Sequence, residues 1–306
     1  MRTNLNDIKD SKIQKGITIR DKFYLFRQFS IFYFKKSIRL LSKGINPFET
    51  EKNKKEDISI REENFVNRFT PGEIEFYGNK FQYVDYASFL STKKELFEEN
   101  IYEFKSEKQI PFIIDCGANI GLSILFFKKL YPNSRILAFE PDRKLYDAII
   151  ENVNTYNLQN IELINKALWD EITTLKFYSE GADGGRIENI SEFEENKIIE
   201  IATDKLSNYI NEEIDFLKID IEGAETKVLK ECKDKLHLVK NIFIEYHSFI
   251  DSKQTLDEIL YILTNSGFRY YISSIGIKSK KPFSMRNANF GMDNQLNIFG
   301  YRNEKN

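Results

Sequence analysis

The stretch PFIIDCGANIGLS, residues 111–123, decides the fold class of this chain. Its apolar run ends in Asp115 and Gly117, as a buried strand does, and the residues after Gly121 have helical spacing. Gly117 lets the chain turn sharply and lets a ligand approach the backbone, while Gly121 allows tight packing where the helix begins. The stretch therefore predicts a strand, a loop and a helix whose N-terminus faces a ligand crevice.

The alternation of strand and helix continues from residue 110 towards the end of the sequence. Short apolar runs such as RILAFEP, DFLKIDIEG and NIFIEYHS each precede a segment with helical periodicity. Alternating strands and helices form a mostly parallel sheet that helices cover on both faces, with right-handed crossovers. We therefore predict an α/β, Rossmann-like domain over residues 110–306.

Two segments precede this domain. Residues 1–45 hold eleven basic and three acidic side chains, and the aromatic residues within 20–45 recur at helical spacing. We interpret residues 1–60 as a basic amphipathic helix and a polar linker, and residues 61–109 as a cap or lead-in segment. The helix has two possible roles: packing on the main domain or on a second copy of the chain, which we favour, or contact with an anionic membrane surface.

The composition excludes several classes of protein. The chain has 45 Lys+Arg and 47 Asp+Glu, which argues against a nucleic-acid partner. Two cysteines and two histidines are too few for a disulfide framework or a multi-histidine metal cage. We find no apolar run of 18 residues and no signal-peptide pattern. We therefore expect a cytoplasmic protein, at most peripheral to the inner face of the membrane.

The glycine spacing of the loop argues against a dinucleotide ligand. It is D-x-G-x-x-x-G, not the G-x-G-x-x-G that brings a pyrophosphate close to the backbone. Glu140 ends the next strand, where an acid accepts hydrogen bonds from both ribose hydroxyls. An adenosine ligand with an amino-acid tail fits, so we predict S-adenosylmethionine as cofactor. The alternative is that the loop glycines only form a turn and that Glu140 is a solvated strand end.

The predicted cofactor-binding residues lie at the ends of the first three strands of this domain. They are Asp115, Gly117, Asn119, Gly121, Glu140, Pro141 and Ala167.

Five segments carry a family resemblance. IIDCGANIGLS, LAFEPD, LINKALWD, FLKIDIEGAE and IFIEYHS, in this order and spacing, resemble the FkbM-type methyltransferases, which are Rossmann-like enzymes that use S-adenosylmethionine. The resemblance implies a seven-stranded sheet whose last strand is antiparallel. It also implies methyl transfer to an oxygen, often on sugars, polysaccharides or secondary metabolites. Residues 1–60 lie outside the shared region.

Candidate catalytic residues follow two later strands. Alternation along FLKIDIEG places Lys218, Asp220 and Glu222 on one side, and such groups are costly to bury unless they pair or do chemistry. His247 ends NIFIEYHS at the edge where α/β sheets bind ligands. We predict Asp220, Glu222 and His247 as catalytic; which of them is the base stays open. The alternative is a Lys218–Asp220 ion pair with Glu222 capping the next helix.

Two further residues are predicted to contact the acceptor. Tyr246 precedes His247, and Arg186 lies in the glycine-rich loop 181–189, which is interpreted either as a lid or as a hairpin turn. A divalent metal on Asp220 and Glu222 ranks below a metal-free base, because the sequence shows no third ligand with clear spacing.

Together, these observations favour an S-adenosylmethionine-dependent O-methyltransferase that acts on a sugar, polysaccharide or related glycoconjugate. Two alternatives stay open. One is a nucleotide-dependent oxidoreductase or epimerase, against which the glycine spacing argues. The other is a non-catalytic scaffold subunit of a membrane-associated glycan assembly, which the basic segment 20–45 would anchor.

Overall fold

The computed structural model describes residues 69–178, 198–275, 281, 283–284 and 291–302. The predicted N-terminal helix and linker, and the loop 181–189 with Arg186, lie outside these residues. Within the described ranges, no helix is both long enough and apolar enough to cross a membrane.

The described elements follow one another in the predicted alternation. In chain order they are β1 (Gly72–Phe76), β2 (Asn79–Tyr83), α1 (Tyr86–Phe97), β3 (Phe112–Cys116), α2 (Leu122–Leu130), β4 (Arg135–Phe139), α3 (Arg143–Thr155), β5 (Ile161–Ile164), β6 (Ala167–Leu168), β7 (Thr174–Tyr178), β8 (Ile198–Asp204), β9 (Ile214–Ile219), α4 (Glu225–Cys232), β10 (Val239–Phe249), α5 (Leu256–Asn265), β11 (Arg269–Ser274) and β12 (Met292–Tyr301).

The central sheet has seven strands in the order β5-β4-β3-β9-β10-β12-β11. Neighbours from β5 to β10 run parallel, and β12 is antiparallel to both β10 and β11. This confirms the predicted mostly parallel sheet with an antiparallel last strand. The strand order reverses between β3 and β9, and open α/β sheets bind ligands at the carboxyl ends of the strands beside such a point.

A small second sheet explains the two extra extended segments of the sequence. Strands β6, β8 and β7 form it, with β6 parallel and β7 antiparallel to β8. Ala167 lies in β6, directly after the end of β5, and is buried.

The lead-in segment contributes to the main core. Phe81 of β2 and Phe89 of α1 are buried in one apolar cluster with Phe127 of α2. The buried side chain of Asn152 on α3 accepts a hydrogen bond from the Gln82 amide at 2.7 Å and donates one to the Gln82 carbonyl at 3.0 Å. The amide group thus pairs with β2 as a neighbouring strand would, and joins the β1–β2 hairpin to the domain.

One face of the central sheet changes from apolar to ionisable side chains toward the carboxyl ends of its strands. Residues two apart on a strand share a face, and the register places Asp115 beside Lys218, and Lys218 beside Phe243. The apolar and ionisable members, strand by strand, are Ile113 and Asp115, Phe216 and Lys218, and Phe243 and Glu245. Charged groups are therefore gathered at the strand ends, above an aromatic core.

Candidate functional site

The predicted cofactor loop is bonded to the end of β4. The amides of Gly117 and Ala118 both donate to the Phe139 carbonyl, at 3.0 and 2.9 Å. Asn119, with φ of 51°, donates its amide to Glu140 Oε2 at 2.9 Å. The loop and the predicted ribose-binding acid are therefore held together by hydrogen bonds of the chain itself.

At position 117 only glycine fits beside the chain that follows β9. Its φ is +85°, and a Cβ there would lie 1.9 Å from the backbone carbonyl oxygen of Asp220. The sequence analysis expected a ligand to approach the backbone closely at Gly117; in the structure, the chain that follows β9 makes this close approach. At Gly121 the positive φ of +84° favours glycine, whereas a Cβ would meet Ile149 only at an ordinary 3.5 Å. The tight packing expected at Gly121 is therefore not what selects glycine there.

Glu140 is an almost fully buried acid, 5% exposed. Its two oxygens accept hydrogen bonds from the backbone amides of Asn119 and Asp142, both at 2.9 Å. Burial outweighs these bonds and raises the pKa of Glu140 to about 8. Each oxygen keeps capacity for one further donor, such as a ribose hydroxyl.

Asn165, which the sequence reasoning missed, fixes the turn after Glu140. Its side-chain amide donates to the carbonyls of Glu140 and Pro141, at 2.8 and 3.0 Å. Asn165 directly follows β5, so the ends of β4 and β5 are held side by side. The available signal was its position directly after the apolar residues Leu163 and Ile164, at the end of a strand.

The buried Lys218 connects the loop to the candidate catalytic cluster. Its ammonium donates to the Gly117 carbonyl at 2.6 Å and lies 3.3 Å from Asp115 Oδ1 and 3.2 Å from Asp220 Oδ2. Burial alone disfavours the charge, but Asp220 and Asp115 outweigh it and raise the pKa of Lys218. Asp115 Oδ2 also accepts from Ser123 Oγ at 2.5 Å, whereas the buried Oδ1 faces the Lys218 ammonium without a hydrogen bond.

The structure brings the three predicted catalytic residues together. Asp220, Glu222 and His247 each offer a ligand-type atom, and these atoms lie within 4.8 Å of one another. Glu222 adopts φ of 54°, a left-handed conformation that is uncommon for residues other than glycine. The Lys218–Asp220 ion pair of the alternative interpretation is also present.

Glu225 holds the turn that carries Glu222. One of its oxygens accepts hydrogen bonds from the amides of Ile221 and Gly223, at 3.2 and 3.0 Å, and lies 2.9 Å from His247 Nδ1. The alternative assigned a capping role to Glu222, whereas Glu225 supplies the carboxylate that binds these backbone amides.

Several carboxylates surround the His247 ring. Its Nε2 lies 3.4 Å from Glu245 Oε1 and 3.7 Å from Glu222 Oε2. Burial by itself lowers the pKa of His247, but Glu222 and Glu225 outweigh it and hold the pKa well above its ordinary value. The neighbouring carboxylates therefore favour the protonated form of the ring.

Besides Glu225, two acids near this cluster were missed. Glu245 lies two residues before His247 on β10, so strand alternation was a usable signal. Glu95 comes from α1 in the lead-in segment, and no local spacing connects it to the sheet. Burial, with the carboxylates of Glu245 and Asp220, raises the pKa of Glu95 to about 7, and burial likewise raises the pKa of Asp220 against the opposing effect of Lys218.

Tyr246 does not join the cluster. It alternates to the opposite face of β10, is buried in the core there, and its hydroxyl accepts a hydrogen bond from the Thr255 amide at 2.9 Å. A contact between Tyr246 and the acceptor therefore finds no support in the structure, because the side chain is already engaged in packing.

The side chains around the loop fit an adenosine ligand without phosphates. Residues 115–123 contain no Lys or Arg to pair with a phosphate, and the nearby Lys218 is already shared between two carboxylates. Glu140 offers two hydroxyl acceptors, and the carboxylates beyond the loop suit a ligand that carries positive charge. The fold and this donor set define a class I, S-adenosylmethionine-dependent methyltransferase.

The comparisons give the particular family. The family model described as "Methyltransferase FkbM domain" matches residues 115–270, and the chain belongs to this family. Methyltransferase sdnD of Sordaria araneosa is 30% identical over 187 residues, which are 50% of this chain and 72% of that protein. The 2-O-methyltransferase NoeI of Sinorhizobium fredii is 27% identical over 46% of this chain and 65% of its own length.

A solved structure is similar as well. The FkbM methyltransferase of Methylobacillus flagellatus aligns with a TM-score of 0.44 and 18% identity, over 67% of this chain. This chain spans 47% of that protein's length, just under half.

Substitution of Gly117 by Ala tests the contact with Asp220. We expect Gly117→Ala to lower the free energy of unfolding by about 2–5 kcal/mol, since a clash adds to the cost of the left-handed backbone. Gly78→Ala is the matched control, because its φ is +80° and nothing lies within 4 Å of an added Cβ; it should cost about 1–2 kcal/mol. Urea denaturation measures both, and equal losses would contradict the contact.

The pKa of Glu140 predicts proton release on cofactor binding. Ribose hydroxyls donate best to the ionised carboxylate, whereas a pKa of about 8 leaves Glu140 mostly protonated at pH 7. We expect affinity for S-adenosylhomocysteine to rise from pH 6 to pH 8 and then level off. Calorimetry at pH 7 in buffers of different ionisation enthalpy measures the released proton. Glu140→Gln should abolish this release; if it persists unchanged, Glu140 is not its source.

Proposed function

We propose that this chain methylates a hydroxyl group of a sugar, polysaccharide or related glycoconjugate intermediate. The observation that carries the proposal is the carboxylate cluster at the ends of β9 and β10, which Lys218 connects directly to the cofactor loop. Carboxylates accept hydrogen bonds from neighbouring hydroxyls, which suits a polyhydroxylated acceptor. The name of the relative NoeI, a 2-O-methyltransferase, is consistent with an oxygen acceptor.

Each part of the site has a separate task in this proposal. When bound, S-adenosylmethionine supplies a methyl group that is already activated, so the chain needs no covalent intermediate. Glu140 holds the ribose of the adenosine end, with Pro141 and Ala167 beside it. Lys218 keeps Asp220 in place and compensates its charge, so that the acceptor and the methyl group are aligned for in-line transfer.

The carboxylates of the cluster take up the proton of the acceptor hydroxyl. A sugar hydroxyl is a poor nucleophile until its proton leaves, and a positioned base accelerates that step. His247, which the sequence reasoning offered as a base, is a weaker candidate, because the carboxylates of Glu222 and Glu225 raise its pKa. Its ring instead lies between Glu222, Glu225 and Glu245, and so orders these side chains around the acceptor side of the site.

The membrane or oligomer contact predicted for residues 20–45 stays a prediction, as do the domain boundaries, the acceptor contact of Arg186 and the cytoplasmic location. Removal of residues 1–45 separates an anchoring role from a part in the site, because an anchor can be lost while cofactor binding is retained.

The test combines binding with methyl transfer. We expect S-adenosylmethionine and S-adenosylhomocysteine, but not NAD, to bind in calorimetric titration. With isotope-labelled S-adenosylmethionine and a panel of nucleotide sugars and oligosaccharides, label should enter an O-methyl group, which NMR identifies. Asp220→Asn should lower kcat by about 10²-fold or more, since proton transfer contributes that much.

The control is Asp234→Asn, which changes an acid on the 3₁₀ turn Lys233–Leu238 before β10 and should leave kcat unchanged. Binding of NAD alone, or label on nitrogen rather than oxygen, would contradict the proposal. Binding of the sulfur ligands without transfer to any member of the panel would contradict the sugar acceptor while leaving the cofactor in place.

A further inference from the structure

The cluster of Asp220, Glu222 and His247 has the composition and spacing of a metal site. Two carboxylate oxygens and one imidazole nitrogen lie within 4.8 Å of one another. Opposed ligands of one ion lie about 4.2 Å apart around Mg²⁺ and about 4.8 Å apart around Ca²⁺, by their usual bond lengths. The sequence showed no third ligand beside Asp220 and Glu222. The fold supplies His247 of β10 as the third.

The ring of His247 is oriented as a metal-ligating histidine is. Its Nδ1 lies 2.9 Å from Glu225 Oε1, and both side chains are almost completely buried. That bond directs Nε2 toward Glu222 and Glu245. In metal sites, an outer carboxylate of this kind commonly fixes the orientation of the ligating ring.

Several carboxylates are gathered around His247. Glu222, Glu225 and Glu245 all approach this one ring, while the ammonium of Lys218 is shared between Asp115 and Asp220. Collecting carboxylates in a half-buried site is costly unless cations compensate them. A divalent cation is one such compensating charge.

An independent observation comes from β12. Asn297 is 4% exposed, and its Oδ1 is buried without a hydrogen-bond partner. Asn297 lies directly opposite Glu245 in the antiparallel register, so both side chains extend from the face of the sheet that carries the cluster. Buried side-chain oxygens almost always have a partner, and a metal ion or a metal-bound water would provide one.

We propose that Asp220, Glu222 and His247 Nε2 bind a divalent cation of the Mg²⁺ or Mn²⁺ class, with Glu245 and Asn297 beside it. A ligand set rich in carboxylates, with one imidazole, suits these ions better than soft metals. The binding is a property of the chain itself and does not depend on which acceptor is methylated.

Manganese provides a direct probe. The full chain, freed of metal with a chelator, is titrated with Mn²⁺ while electron paramagnetic resonance follows the free ion. We expect one bound Mn²⁺ per chain. His247→Gln and Glu222→Gln should each weaken binding by about tenfold or more. We include Glu222→Gln as a second variant because the Glu222 carboxylate is less buried than the His247 ring. Its substitution should therefore disturb folding less.

The other histidine of the chain is the matched control. His237 lies on the turn Lys233–Leu238, and its ring contacts the Asp234 carbonyl, so His237→Gln should bind Mn²⁺ as the unaltered chain does. Absence of bound Mn²⁺ at millimolar concentration, or binding unchanged in both cluster variants, would overturn the proposal. Calorimetry with S-adenosylhomocysteine on the same samples separates this failure from failure of the proposed function.

Discussion

The site depends on one buried ammonium group. Lys218 is 3% exposed, and its Nζ contacts a loop carbonyl at Gly117 together with the carboxylates of Asp115 and Asp220. Removing one partner of such a buried set leaves an uncompensated charge, which costs about 3–5 kcal/mol. Lys218 therefore connects two functions, because the residue that stabilises the cofactor loop also positions the first acid of the candidate catalytic cluster.

Backbone contacts reinforce the same connection. The amide of Asp220 donates to the Cys116 carbonyl at 3.1 Å, which continues the β3–β9 pairing past the end of β9. The carbonyl of Asp220 then leaves no room for a side chain at Gly117. The crevice lies where the strand order reverses, so the loop after β3 and the acids after β9 are neighbours by topology. A change in the packing of the loop after β3 would therefore also displace the acids after β9.

The sequence predicts those parts of the site that follow strand ends and misses those that come from elsewhere. Asp220, Glu222 and His247 could be grouped because parallel strands end at one edge of a sheet. Glu95 could not, since it belongs to a helix before the domain and meets the sheet only through tertiary packing. Tyr246 was assigned to the crevice by proximity in sequence, although strand alternation directs it into the core. Likewise, spacing offered only Asp220 and Glu222 as possible metal ligands, and only the fold brings His247 to the cation site that we propose.

The most direct test of this account is a crystal structure of the chain with S-adenosylhomocysteine. The central claim is that the loop after β3 and the acids after β9 and β10 form one site. The account predicts ribose hydroxyls within hydrogen-bond distance of the Glu140 carboxylate and a ligand sulfur that faces the Asp220–His247 cluster. A ligand whose ribose lies away from Glu140, or whose sulfur faces away from that cluster, would contradict it.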